Sequence, residues 1–185
     1  MPRLFTGIEL PSDVRTWLSL LSAPIAGAKW VAADDLHLTL RFLGDVDHRT
    51  ADEFIDRIGP FRVEPFELRL TGLGSFGGHR PDALWVGAEP KPVLARLHQV
   101  HEREARAVGL EADSRAFVPH VTLARLRGTR PEPVARFIES HGRLVIPAFR
   151  VSRLAVFSSR PGTGGGPYAV EETIDLDDRG EDDEG

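Results

Sequence analysis

Apolar residues along this chain recur at two different spacings, and the switches between them mark its elements. Leu4 to Leu10 reads as a first strand, stopped by Pro11. Ser12 or Asp13 can cap the helix that follows, with Val14, Trp17, Leu18 and Leu21 as its apolar face. Lys29 to Val31 suits a short strand, and Leu36 to Leu43 a longer one ended by Gly44 and Asp45. Thr50 to Ile58 is a short helix with Phe54, Ile55 and Ile58 inward. Phe66, Leu68 and Leu70 alternate along one face of a strand, Gly72 to Pro81 reads as a glycine-rich loop, and Ala83 to Val86 is the next strand. The longest helix runs from Pro92 to Val108 and is closed by Gly109. A strand at Val118 to Leu126, a helix at Pro133 to Ser140, and strands at Leu144 to Ile146, Val151 to Phe157 and Tyr168 to Leu176 complete the set. Between the last two, Ser158 to Pro167 has the composition of a flexible turn. Strands interleaved with helices, with hairpin-like neighbours, predict an α+β fold rather than a regular parallel series.

With 185 residues, 41% hydrophobic and 28% charged, the chain suits one packed domain, here residues 1–176. Residues 177–185 are acidic and nearly free of apolar side chains, as in a disordered tail. The formal charge of −5 sets the surface as a whole against a polyanion, so contact with nucleic acid must be local, in a basic groove. Without cysteine the chain has neither disulfides nor thiolate metal sites. No leader or membrane-length apolar run stands out, and a monomeric cytoplasmic protein is the expectation.

An internal echo narrows the function. Leu36-His37-Leu38-Thr39-Leu40-Arg41-Phe42-Leu43 and Pro119-His120-Val121-Thr122-Leu123-Ala124-Arg125-Leu126 both carry His-aliphatic-Thr-Leu within a predicted strand. At this composition a pair of such matches arises by chance on the order of once in a thousand chains. Side chains two apart on a strand share a face. His37 and Thr39 therefore point one way and Leu38 and Leu40 the other, and His120 and Thr122 repeat the arrangement. Two imidazoles and two hydroxyls facing one cleft suit phosphodiester chemistry. A neutral ring takes a proton from water, a protonated one gives a proton to the leaving oxygen, and the hydroxyls donate to non-bridging oxygens. With imidazolium and arginine supplying positive charge, neither a metal nor a cofactor is needed.

At these residues the sequence resembles the 2H phosphoesterase superfamily, in particular the RNA 2′,3′-cyclic phosphodiesterases also called 2′-5′ RNA ligases. The likeness extends to Arg3-Leu4-Phe5-Thr6-Gly7-Ile8-Glu9-Leu10-Pro11, Trp30-Val31, Pro65-Phe66-Glu67-Leu68, Gly72-Leu73-Gly74-Ser75-Phe76 and Leu84-Trp85-Val86-Gly87. It implies two pseudo-symmetric lobes, each an antiparallel sheet with helices outside, around a central groove. It further implies hydrolysis of a cyclic phosphate on an RNA end or nucleotide to a 2′-phosphomonoester. His37 would be the general acid on the 3′ oxygen, His120 the general base, and Thr39 and Thr122 the phosphate holders. The arginine after the family's second motif matches Arg125. Strand parity disagrees, because it turns Arg125 away: either a bulge or the strand end redirects it, or Arg127 and Arg41, which shares parity with His37, matter more.

Other residues carry weaker signals. Phe5, Phe42, Trp30 and Trp85 can stack on a base, but core packing is the expectation for each, for Phe42 also by its parity. His98 and His101, three apart on the long helix beside Glu102 and Glu104, suit a solvated helix face better than a metal site. His79 and Arg80 lie in the glycine-rich loop, where exposed polar residues are the expectation and contact with a phosphate the alternative. The rival function is a nucleotide-binding module without turnover; a metal-dependent phosphohydrolase is a third reading.

Overall fold

The computed structural model describes residues 1–59, 62–160 and 165–176, so the expected acidic tail lies outside the described residues. The elements are β1 (Arg3–Glu9), α1 (Ser12–Ser19), β2 (Ala28–Trp30), β3 (His37–Asp45), α2 (His48–Ile58), β4 (Phe66–Phe76), β5 (Ala83–Glu89), α3 (Lys91–Ala107), β6 (His120–Leu126), α4 (Pro131–Ser140), β7 (Phe149–Val151), β8 (Arg153–Ser159) and β9 (Ala169–Asp175). A 3-10 turn at Ala33–Asp35 leads into β3. No helix among the described residues is long and apolar enough to cross a membrane.

All strands join one curled antiparallel sheet in the order β7-β4-β5-β6-β3-β1-β8-β9, with β2 alongside β6. The two motif strands lie at its centre, and their partners repeat on either side: β1 then β8 beyond β3, and β5 then β4 beyond β6. One face is apolar. Leu38, Leu40, Val86, Leu94, Leu97, Val121 and Leu123 meet there in one buried cluster with Val14 and Leu18 of α1. Phe54 and Ile58 of α2 pack with Leu4, Leu43, Ala105 and Val156, and Val134 and Phe137 of α4 pack with Leu84, Ala124 and Leu126. The helices therefore cover one face and leave the other to the histidines.

Three expectations need correction. Gly72 to Phe76 is strand rather than loop. Its glycines serve a register shift between Leu70 and Leu73, where Gly72 has φ 75°, and a close approach at Gly74, where a Cβ would lie 2.4 Å from the Trp85 indole. Leu144 to Ile146 is not a strand; Ile146 is a buried core anchor ahead of Pro147, Leu144 packs half-buried against the same cluster, and the pairing strand is β7. Of the expected flexible turn, Ser158 and Ser159 belong to β8, and 161–164 lie outside the described residues.

The long helix is not a solvated face at its histidines. His101 is 1% exposed and shares a 2.7 Å hydrogen bond with Thr6 Oγ1. Burial, with His98 adding a smaller push, drives its pKa down to about 3. The unfolded chain regains a histidine pKa of about 6.5, so on acidification it binds a proton that the folded protein refuses. His101 thus weighs against folding only as pH falls below about 6.5, by up to about 1.4 kcal/mol per unit until the folded value is reached. The unfolding free energy measured in denaturant should fall by about 2 kcal/mol between pH 6.5 and 5 from this residue alone. His101→Gln should remove that part of the slope; an unchanged slope would show that His101 titrates normally.

Candidate active site

β3 and β6 meet antiparallel at Leu38 and Val121, whose side chains enter the core. One step in opposite directions along the two strands sets His37 across from Thr122 and Thr39 across from His120, all on the opposite face. Each histidine therefore faces the hydroxyl of the other motif. The two histidines are diagonal neighbours, at positions whose Cα atoms lie about 7–8 Å apart in a regular sheet.

The rings are oriented alike. His37 Nδ1 donates to the Asp35 carbonyl at 2.7 Å, and His120 Nδ1 donates to the Val118 carbonyl at 2.5 Å. A carbonyl only accepts, so Nδ1 carries the hydrogen in both rings and Nε2 is left as the working atom. Thr39 Oγ1 lies 3.0 Å from His37 Nε2 and donates to it when the ring is neutral. Aromatic rings fix the rest of each pocket. Phe5, Phe157 and the edge-on Tyr168 lie 4.8, 5.5 and 4.9 Å from His37 between ring centroids. Phe76 and Trp85 lie 4.9 and 5.8 Å from His120. Asp35 also accepts the Tyr168 backbone N–H at 3.1 Å, which ties that ring's strand end to the start of β3.

Burial pushes His37 down to about 4, against the raising effect of its bond to the Asp35 carbonyl; the positive charges of Arg125 and, more weakly, His120 lower it further. Burial also lowers His120, partly offset by its bond to Val118. Both rings are therefore neutral near pH 7 in the empty cleft.

Beyond the threonines the strands break their alternation at the same place. On β3, Gly7 faces Thr39 and Thr6 faces Arg41, which leaves Leu40 as an extra residue. On β6, Trp85 faces Thr122 and Leu84 faces Ala124, which leaves Leu123 as the extra one. A bulge in each strand thus shifts the parity of everything after it. Its freed carbonyl is satisfied in each case: Leu40 O accepts His98 Nδ1–H at 2.7 Å, and Leu123 O accepts the Val31 N–H at 2.9 Å. The fourth residue after each histidine turns inward and the fifth outward.

A profile of the 2′-5′ RNA ligase superfamily matches residues 11–163. The chain belongs to that superfamily. It is 34% identical over 134 residues to an Aeropyrum pernix protein named RNA 2′,3′-cyclic phosphodiesterase, covering 71% of this chain and 76% of that one. A protein of the same name from Escherichia coli K12 is 35% identical over 128 residues, 66% of this chain and 71% of that protein. The crystal structure of E. coli LigT complexed with 3′-AMP matches with a TM-score of 0.74 at 28% identity, covering 95% of this chain and 98% of that one. TT0787 of Thermus thermophilus matches with a TM-score of 0.76 at 26% identity, covering 96% and 100%.

The paired bulges correct three readings of this superfamily member. Arg41, expected on the cleft face by parity, is 6% exposed and turned inward. Its Nε donates to Glu102 Oε2, and its two terminal nitrogens donate to the Phe42 and Glu111 carbonyls. It fastens the segment before His120 and is not available to a phosphate. Arg125 is exposed on the His120 face, near enough for its charge to act on His37. Phe42 is not core: it is 44% exposed, with its ring 5.5 Å from Phe5. His79 and Arg80 sit exposed at the tip of the β4–β5 hairpin. Phe76, Phe157 and Tyr168 were not singled out from the sequence, because only tertiary pairing brings them to the histidines. Among the described residues no three His, Asp or Glu side chains are grouped to hold a metal ion.

Proposed function

We propose that this protein hydrolyses 2′,3′-cyclic phosphates at RNA ends to 2′-phosphomonoesters with His37 and His120 as acid and base. The observation that carries this reading is the repeated tautomer lock, which leaves the Nε2 atoms of two histidines as working atoms on one sheet face of adjacent strands. The names of the relatives and the nucleotides bound by LigT support the substrate class.

His120 Nε2 takes a proton from water as the water oxygen bonds to phosphorus. The bond from phosphorus to O3′ breaks, and His37 gives its Nε2 proton to that oxygen. Because His37 is pushed down in the empty cleft, it is a strong acid once protonated, and the negative phosphodiester supplies the charge that holds its proton. Thr39 turns its hydroxyl from His37 to a non-bridging oxygen, Thr122 donates from the opposite strand, and Arg125 offsets the charge that develops. In this reading Phe42, an exposed aromatic whose ring lies 5.5 Å from Phe5, stacks on the terminal base. A 5′-hydroxyl in place of water, with the same two proton transfers, would form a 2′-5′ linkage.

The test is product analysis on a short RNA with a cyclic 3′ end, in chelator. Turnover to the 2′-phosphate is expected. A 3′-phosphate product would reverse the leaving oxygen, loss of activity rescued by a divalent ion would move the reaction to a metal, and binding without turnover would select the non-catalytic reading.

A further inference from the structure

The cations beyond Arg125 have no role in the two-histidine step. β2 pairs with the far end of β6 so that Lys29 faces Arg125, while Trp30 faces Ala124. Residues directly opposite on antiparallel strands share a face, and the strands lie about 4.8 Å apart. Trp30 goes to the helix side, where its indole donates to the Ala23 carbonyl and its ring meets Phe137 at 5.5 Å. Lys29 therefore projects from the opposite face, the one that carries Arg125, Thr122 and His120. Arg127 extends the set. The Leu123 bulge has already brought Arg125 outward, the Arg127 N–H bonds to the Gly27 carbonyl at 2.9 Å, and alternation returns Arg127 to the Arg125 side. All three are exposed, and none has a carboxylate within ion-pairing distance among the described residues. In a chain of net charge −5, three uncompensated cations running from one wall of a cleft form a local positive field.

We propose that Lys29 and Arg127, beside Arg125, form a subsite for the phosphodiester one nucleotide upstream of the reacting phosphate. This deepens the proposed function and rests on it. An RNA that ends in a 2′,3′-cyclic phosphate has neighbouring phosphates only on its 5′ side, so the ligand of a second anion site beside the first is the next internal linkage. The contacts are to phosphate, so they favour a polynucleotide end over a free cyclic mononucleotide without reading its bases. The opposite wall differs: the position matching Arg125, five residues after the histidine, is Phe42. One wall thus suits the terminal base and the other the chain's charge.

The experiment compares three substrates: a cyclic mononucleotide, a dinucleotide with a cyclic 3′ end, and the same dinucleotide with a neutral methylphosphonate internal linkage. The wild type should prefer the charged dinucleotide to the neutral one by about tenfold in kcat/KM, mostly through KM, and added salt should erode that preference. Lys29→Gln and Arg127→Gln should each shrink the charged-to-neutral ratio several-fold, with thermal unfolding confirming that the variants fold. Equal kcat/KM for the charged and neutral dinucleotides would overturn the subsite while leaving the hydrolysis intact. An unshrunk ratio in both variants would overturn the assignment to these residues. Failure of the wild type on all three substrates would instead sink the proposed function itself.

Discussion

His37→Ala and His120→Ala should each lower kcat on a cyclic-ended RNA by about 10²–10⁴-fold, the scale of a lost acid or base. Removing both should cost little more than the worse single loss, because two proton transfers in one displacement act as a unit. The pH dependence separates the roles. The profile of kcat/KM reports the empty cleft, where burial lowers both rings. Turnover requires one imidazole protonated and the other neutral, so the bell should centre below the ordinary histidine value of about 6.5. The imidazolium that the acid must supply is lost as pH rises through these lowered values, and the rate should fall about tenfold per unit on the alkaline side. His120→Ala should abolish the acid limb and His37→Ala the alkaline limb, with stopped assays at saturating and sub-saturating RNA separating kcat from KM. Wild-type rates in either variant would remove that residue from the reaction, and a bell centred well above pH 7 would mean that the free rings do not carry the lowered values.

Most of the fold and half of the site could be read from the chain alone. The two HxTL strands announce themselves by repetition, and the period of two correctly puts Leu38 and Val121 in the core with the histidines opposite. The same rule failed three residues further on, because it assumes an unbroken ladder. Leu40 and Leu123 look like ordinary strand residues; nothing in a leucine marks it as the surplus member of a bulge. What fixes each bulge comes from far away in sequence: the imidazole of His98 for Leu40, the backbone of Val31 for Leu123. Arg125 accordingly lies exposed on the side that unbroken parity denied it. Phe157 and Tyr168 were invisible for a similar reason, since they reach His37 only after β8 and β9 have closed onto β1 from the other end of the chain.

The two arginines after the motifs should consequently fail in opposite ways. Arg41→Ala removes the partner of Glu102, whose other oxygen accepts the Asp113 N–H at 3.2 Å. A fully buried carboxylate stripped of its cation typically costs about 3–5 kcal/mol; the Glu102 side chain is 19% exposed and keeps its N–H contact, which puts the expected loss at or below the lower end. Arg41→Lys should recover little, because one ammonium on a flexible stem does not reproduce a guanidinium that donates to Glu102, Phe42 and Glu111 together. Arg41→Met combined with Glu102→Met should be more stable than Arg41→Met alone, since it leaves no unpaired charge behind. Arg125→Ala, at an exposed position without an ion pair among the described residues, should change the unfolding free energy by no more than about 0.5 kcal/mol. Its kcat/KM should nevertheless fall by about 10²–10³-fold, as when one donor to a developing anion is lost. Denaturant unfolding and steady-state kinetics on these variants decide the matter. An Arg41→Ala protein of wild-type stability but crippled turnover would return Arg41 to the cleft and with it the unbroken strand. The expected pattern, stability lost at one arginine and rate at the other, would instead tie the division of labour to a single surplus residue in each motif strand.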